Sequence, residues 1–349
     1  MPSTAPYEPI SIRFGFGASG FGTRTSRTPS SGSYDAEVLP GHLKGRHFLR
    51  GYDWTGEETL AVLDLADELK RERREGIPHR HLEGRTLGMI FAKPSTRTRA
   101  SFAAGIAQLG GAALPFAEAE LQLSRGETIA DTARVFSRYL DGVVVRTFRQ
   151  ADVEELAAHA GIPVVNGLTD DLHPCQALAD AMTIRERLGA LDGVRVTYLG
   201  DGNNVCASLM VVCALLGMRF TAATPPRYEP AGEVTAWARA AAASAGGSIE
   251  LTGDPHEAAA GADVLYTDVW TSMGQEDERE RRLRDLAGYG IDREIVSLAS
   301  ERAIVLHCLP AHRGEEIAAD VLDGPRSAVW DQAENRLHTQ KALMALVMR

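Results

Sequence analysis

Residues 87–99 read Leu-Gly-Met-Ile-Phe-Ala-Lys-Pro-Ser-Thr-Arg-Thr-Arg, an apolar run that turns polar within one residue. A short apolar stretch of this kind fits a strand covered on both faces, as in a parallel sheet. Pro94 and Ser95 can end that strand and begin a helix, which Phe102, Ile106 and Leu109 carry on at i, i+4 and i+7. The same alternation recurs along the chain. Further strands are expected at 143–146, 163–166, 194–199, 220–223, 264–269, 303–306 and 328–330. Helices are expected after Thr55, where a charged run at 70–75 reads as a solvated face, around Ile129 to Leu140, from about Pro174 to Leu188, and over 334–349. This is the α/β pattern written twice: two doubly wound parallel-sheet domains facing each other across a cleft, with a C-terminal helix. The expected divisions are 46–185, 186–330, and a helix at 331–349 packing back on the first domain.

The chain's length agrees, since 349 residues suggest two domains. A net charge of −10 argues against broad binding of nucleic acid or an anionic membrane surface. No uninterrupted apolar stretch is long enough to span a bilayer. The four cysteines, Cys175, Cys206, Cys213 and Cys308, form no C-x-x-C pair, so neither a structural zinc nor a disulfide framework is expected. Cys206 and Cys213 lie seven apart on an apolar helical stretch and read as packing residues. Reduced thiols and the lack of a secretory signal point to the cytoplasm.

Residues 1–45 are rich in Gly, Ser, Thr and Pro and read as a disordered extension; organelle targeting by it is a weaker reading. Gly15-Phe16-Gly17-Ala18-Ser19-Gly20 within it matches G-x-G-x-x-G, but neither a strand precedes it nor a helix follows it, so a dinucleotide site is not expected there.

In parallel sheets ligands bind beyond the carboxyl ends of the strands. The polar residues fall there repeatedly: Lys93 to Arg99, Arg146, Asp170 with His173 and Gln176, Gly200-Asp201-Gly202-Asn203-Asn204, Asp268, and His307-Cys308-Leu309-Pro310. In Ser95-Thr96-Arg97-Thr98-Arg99 the hydroxyls and first-turn N–H groups converge, and Arg97 adds a fork matched to phosphate oxygens. No Walker A lysine accompanies them. Gly200 to Asn204 lacks the third glycine of a dinucleotide loop and suits a polar small molecule or a helix cap. His307, on a strand end, is expected to point away from Cys308, so a thiol nucleophile is not favoured.

These residues, with Asp131-Thr132-Ala133-Arg134, His173-Pro174-Cys175-Gln176-Ala177-Leu178-Ala179-Asp180, Asp268-Val269-Trp270-Thr271-Ser272-Met273-Gly274 and Glu334-Asn335-Arg336, make the chain resemble the ornithine carbamoyltransferases of the aspartate/ornithine carbamoyltransferase superfamily over residues 46–349. The resemblance implies transfer of the carbamoyl group of carbamoyl phosphate to the δ-amine of L-ornithine, giving citrulline and phosphate, with no cofactor and no metal. It implies that Ser95, Thr96, Arg97 and Thr98 hold the phosphate, and that Arg146, His173, Gln176, Cys308, Leu309 and Arg336 complete that site. Of these, Arg97, Arg146, His173 and Cys308 are the expected catalytic groups. Asn204, Asp268, Ser272 and Met273 would bind ornithine, with a mobile lid around Gly274. It further implies a homotrimer in which Gln122 completes a neighbour's site. Alternatives are a carbamoyltransferase for another amine such as putrescine, aspartate or an acylated ornithine, a nucleotide-dependent oxidoreductase, and a non-catalytic amino-acid-binding homologue.

Overall fold

The computed structural model describes residues 41–271 and 276–349. The motif at residues 15–20 and the expected lid at Ser272, Met273 and Gly274 lie outside the described residues. From Gly41 the chain is folded: Leu43 is buried, and the Gly45 N–H donates to the Val347 carbonyl at 2.9 Å.

The first half runs α1 (Gly56–Glu75), β1 (Thr86–Phe91), α2 (Thr96–Gln108), β2 (Ala112–Ala117), α3 (Ile129–Tyr139), β3 (Gly142–Arg146), α4 (Gln150–His159), β4 (Val164–Leu168) and α5 (Pro174–Leu188). The second runs β5 (Arg195–Leu199), α6 (Asn204–Leu215), β6 (Arg219–Ala223), α7 (Gly232–Ala245), β7 (Ser248–Thr252), α8 (Pro255–Ala259), β8 (Val264–Thr267), α9 (Arg279–Asp285), α10 (Arg293–Leu298), β9 (Ile304–His307), α11 (Ala319–Leu322) and α12 (Val329–Met348). Among the described residues there are two sheets, ordered β2-β1-β3-β4 and β7-β6-β5-β8-β9, and every named strand pair is parallel. Strand order reverses beside β1 in the first sheet and beside β5 in the second. The loops after β1, β3, β5 and β8 therefore open at the two points where an α/β sheet leaves a crevice.

Strands β1, β3, β4, β5, β8 and β9 are mostly apolar and buried, as parallel strands covered on both faces must be. The sequence reading omits β2 and β7, both edge strands. β2 carries Pro115 and is largely exposed, and an edge tolerates a proline that a central strand cannot. The strand expected at 328–330 is instead the start of α12. Only Ser327 bridges to β9, through Val305, before the backbone turns helical at Val329. Nor is the charged run at 70–75 wholly solvated. Lys70 and Glu72 are buried, and Lys70 Nζ donates to Glu186 Oε1 at 2.8 Å and Asn335 Oδ1 at 2.7 Å. α12 packs across α1, α2 and α5, which brings Arg336 to the first sheet.

Candidate active site

Ser95 caps α2, its Oγ accepting from the Thr98 N–H at 3.2 Å. This leaves the positive end of the helix facing the space beyond β1. Arg146 closes β3 and is buried, as is Arg336 from α12. Arg336 Nη2 donates to Thr98 Oγ1 at 3.0 Å and Nη1 to Gln176 Oε1 at 3.0 Å, both neutral acceptors. Burial, together with the neighbouring Arg336 and Arg97, lowers the Arg146 pKa to about 10. The Nε atoms of Arg146 and Arg336 are buried with no hydrogen-bond partner among the described residues. Buried donors left open in this way call for an anion.

His173 caps α5, just before Pro174 at its first position, and its N–H donates to Ser208 Oγ of α6 at 2.7 Å. Burial, then Arg336, Arg146 and Arg97, hold its pKa well below the usual 6.5, so the ring is neutral. Arg336 Nη1 lies 3.3 Å from His173 Nε2. A guanidinium only donates, so Nε2 carries the lone pair and the ring proton sits on Nδ1. Gln176 does not line the cavity; Asp180 Oδ1 accepts from its Nε2 at 2.9 Å, which turns Oε1 toward Arg336. Lys93 pairs with Asp170 and lies 4.4 Å from the centroid of the Phe148 ring.

Opposite stands the second sheet. Gly200 has φ +124, and a side chain on Gly202 would meet Pro230 N at 2.3 Å, so this turn needs both glycines for its own geometry. Asn203 caps α6 through Oδ1, and its Nδ2 donates to Asp268 Oδ2 at 2.8 Å. The Cys308 thiol donates to Asp268 Oδ1 at 2.9 Å. Burial and the Asp268 charge push its pKa well above 9, so Cys308 is a thiol and not a thiolate nucleophile. Asn204 Nδ2 donates to the Thr169 carbonyl at 2.6 Å, joining α6 to the loop that carries His173. Arg97 Nη2 reaches across to the Leu309 carbonyl at 2.6 Å.

Between the halves lies a cavity of about 1050 Å³. Of the expected residues, Ser95, Thr96, Arg97, Thr98, Arg146, His173, Asn204, Asp268, Cys308, Leu309 and Arg336 line it. Gln122 does not; it lies exposed in a short turn, Gln122–Arg125. Ser272 and Met273 are outside the described residues. Sequence reasoning missed Tyr228 and Arg282, which also line the cavity. Arg282 belongs to the charged stretch that follows the expected lid. It is buried, pairs with Asp201 and lies 5.0 Å from the Tyr228 ring centroid, while burial raises the Asp201 pKa to about 6. A charged run conceals one buried arginine among exposed ones, and no local periodicity marks it. His307 turns away as expected: Nδ1 accepts from the Leu309 N–H at 2.9 Å and Nε2 lies 3.1 Å from Glu316 Oε1.

Comparison with known proteins matches this arrangement. The aspartate/ornithine carbamoyltransferase carbamoyl-P binding domain matches residues 46–186, and the Asp/Orn binding domain of the same family matches 192–347. An ornithine carbamoyltransferase of Pyrococcus horikoshii is 54% identical over 306 residues, which are 88% of this chain and 96% of that protein. One of Pyrococcus furiosus, named anabolic, is 54% identical over 88% of this chain and 97% of its own length. The solved structure of ornithine carbamoyltransferase from Pyrococcus furiosus superposes with a TM-score of 0.86 at 54% identity, covering 88% of this chain and 98% of that one. With both domains of the family matched in order, and its two-sheet cleft carrying the expected side chains, the chain belongs to the aspartate/ornithine carbamoyltransferase family.

Proposed function

We infer that this protein is an ornithine carbamoyltransferase, forming L-citrulline and phosphate from carbamoyl phosphate and L-ornithine. One observation carries this reading: Arg97, Arg146 and Arg336 converge on a capped helix terminus, with no carboxylate paired to them among the described residues, facing Asp268 across the cleft. Relatives 54% identical over 88% of the chain bear the name. The anabolic designation of the Pyrococcus furiosus relative supports the biosynthetic direction, toward arginine.

In this reading Ser95, Thr96, Arg97 and Thr98 hold the phosphate, with Arg146 and Arg336 deeper in the pocket and Gln176 orienting Arg336. The δ-amine nitrogen attacks the carbonyl carbon, and negative charge grows on the carbonyl oxygen. Arg97, Arg146 and the neutral N–H of His173 are the donors for that charge and for the departing phosphate. The carbon–oxygen bond to phosphate then breaks and the amine gives up a proton. A free amine of pKa about 10.4 is almost wholly protonated at a pH of about 7.4, so the attacking form costs about 4 kcal/mol. Asp268, Asn204, Ser272 and Met273 bind the amino-acid end of ornithine. Cys308 polarises the carbonyl region and forms no covalent intermediate. Holding both substrates in one cavity supplies a large share of the rate.

The division into 46–185, 186–330 and 331–349 is supported by one sheet in each of the first two parts and by the two matched domains. A homotrimer is supported by the exposed edge strand β2 with Leu114, and by Val135 and Tyr139 of α3, which stand 42% and 75% exposed. The exposed Gln122 lies in the chain between these two elements. A cytoplasmic enzyme fits the four free cysteines. Among the described residues no helix is long and apolar enough to cross a membrane.

A steady-state assay of purified protein with carbamoyl phosphate and either ornithine or putrescine tests the reading. Citrulline formation with ornithine strongly preferred is expected; a putrescine preference, or ornithine binding without citrulline, overturns it.

A further inference from the structure

After β9 the chain turns back on itself over residues 312–317. The Glu315 N–H donates to the His312 carbonyl at 3.0 Å, and the Gly314 N–H donates to the Ile317 carbonyl at 2.8 Å. This turn gathers three side chains: one ligand atom from each of His312, Glu315 and Glu316 lies within 4.8 Å of the other two. The Glu316 side chain is fully buried. Its Oε1 accepts from the His312 N–H and lies 3.1 Å from His307 Nε2. Its Oε2 is buried with no hydrogen-bond partner among the described residues. A carboxylate oxygen shut away from water without a partner is costly, and it calls for a positive group. His312 Nδ1 stands 3.7 Å from it, beyond hydrogen-bond reach, and the ring is half-exposed on the wall of the cleft.

We propose that His312, Glu315 and Glu316 bind one divalent transition-metal ion of the zinc class, which fastens the loop after β9. The donors set the class. One imidazole nitrogen and two carboxylates form a mixed set that zinc accepts, whereas magnesium and calcium take oxygen ligands. Ligand atoms around a tetrahedral zinc stand about 3.4 Å apart. The 3.7 Å between His312 Nδ1 and Glu316 Oε2 therefore closes with a small rotation of the half-exposed ring. The ion gives Glu316 Oε2 the partner it lacks, while Oε1 keeps the His312 N–H and His307. Glu315 pairs with Arg279 through Oε1, which leaves its Oε2 for the ion and makes Arg279 the competing cation. With three protein ligands, water fills the fourth position. A second gathering of such side chains, Asp268, His307 and Cys308, is already engaged, since the Cys308 thiol donates to Asp268 and His307 Nδ1 accepts from Leu309. The ion takes part in no step of carbamoyl transfer, so the proposal goes beyond that reading and stands independently of it.

Calorimetric titration of zinc into the full-length protein, dialysed beforehand against a chelator, tests this. One ion per chain is expected. His312→Ala should weaken binding by at least about tenfold, the usual floor for losing even a group that supports a ligand. Cys308→Ser should bind zinc as the wild type does. Cobalt in place of zinc should show the visible bands of a tetrahedral ion without the near-ultraviolet band of a thiolate ligand. Zinc at about a hundredfold excess over its Kd should raise Tm by a few degrees in the wild type and not in His312→Ala. Should His312→Ala fail to fold, Glu315→Gln takes its place, with the same expected loss and the same contrary result. Equal zinc affinity in wild type and variant, a thiolate band, loss of binding in Cys308→Ser, or magnesium binding as tightly as zinc overturns the proposal. So does the absence of a stoichiometric site.

Discussion

Arg97 is half-buried at the first turn of α2, and its hydrogen bond crosses the cleft to the Leu309 carbonyl. Removing its side chain leaves the Ser95 cap and the α2 core contacts of Phe102 and Ile106 untouched. Arg97→Ala should therefore melt near the wild-type temperature while kcat/KM for carbamoyl phosphate falls by about 10²–10³, the usual loss for one donor to developing negative charge. Near-normal kinetics would show that the phosphate lies elsewhere. Asp268 is a different case, because its oxygens serve Cys308 and Asn203. Asp268→Asn removes the charge proposed to face ornithine and should raise the ornithine KM about tenfold or more, with the carbamoyl phosphate KM little changed. Equal effects on both substrates would count against its placement. At this scale the sequence was legible wherever a residue follows a strand directly, since strand ends project their next residues into the crevice. It was silent on Arg282 and Tyr228, which enter the cavity from loops and helices with no such marker.

Among the elements, the buried central strands and amphipathic helices were readable because their periodicity is imposed by one environment along their whole length. β2 and β7 escaped because these two edge strands are largely exposed and carry no such pattern, whereas β4 and β9 at the opposite edges are buried. α12 was the hardest. Over residues 335–348 its buried positions include His338, Thr339, Gln340 and Lys341, which no amphipathic pattern would assign to a core. Lys341 Nζ meets His79 Nε2 at 2.7 Å, and burial lowers its pKa from 10.5 to about 8. Between those values the unfolded chain holds more protons than the folded one, so this residue makes stability rise with pH across that window and fall as pH drops through it. Urea unfolding at several pH values across the window should show that rise in wild type and a flatter profile in Lys341→Met. Parallel profiles would mean that the Lys341 amine is not desolvated.

For the whole molecule, a net charge of −10 coexists with a pocket whose converging side chains are cationic. Composition describes the whole surface and cannot see a local cluster of Arg97, Arg146 and Arg336. The trimer proposal has its own test. Arg97→Ala and Gln122→Ala lie on opposite sides of a shared site if Gln122 serves a neighbouring subunit. Each variant alone should be nearly inactive, whereas co-refolded mixtures should regain part of the wild-type rate, because some sites in the hybrids inherit neither change. Sedimentation of the wild type at three times the chain mass is expected alongside. Hybrids as inactive as their parents would mean that Gln122 serves no neighbouring site, and a fully active Gln122→Ala would place it outside the site altogether.

The alternation of buried strands and helices, the capped start of α2, and the loops that carry Arg97, Arg146, His173, Asp268 and Cys308 were determined by the sequence alone, because each depends on residues within a few positions of one another. The closing of the pocket was decided only by tertiary structure. Arg336 bonds Thr98 across 238 residues, Lys70 bonds Asn335 across 265, and Arg282 pairs with Asp201 across 81. Such contacts are set by how α9 and α12 pack, and the packing of a helix is chosen by the surfaces it meets, which its own residues do not encode.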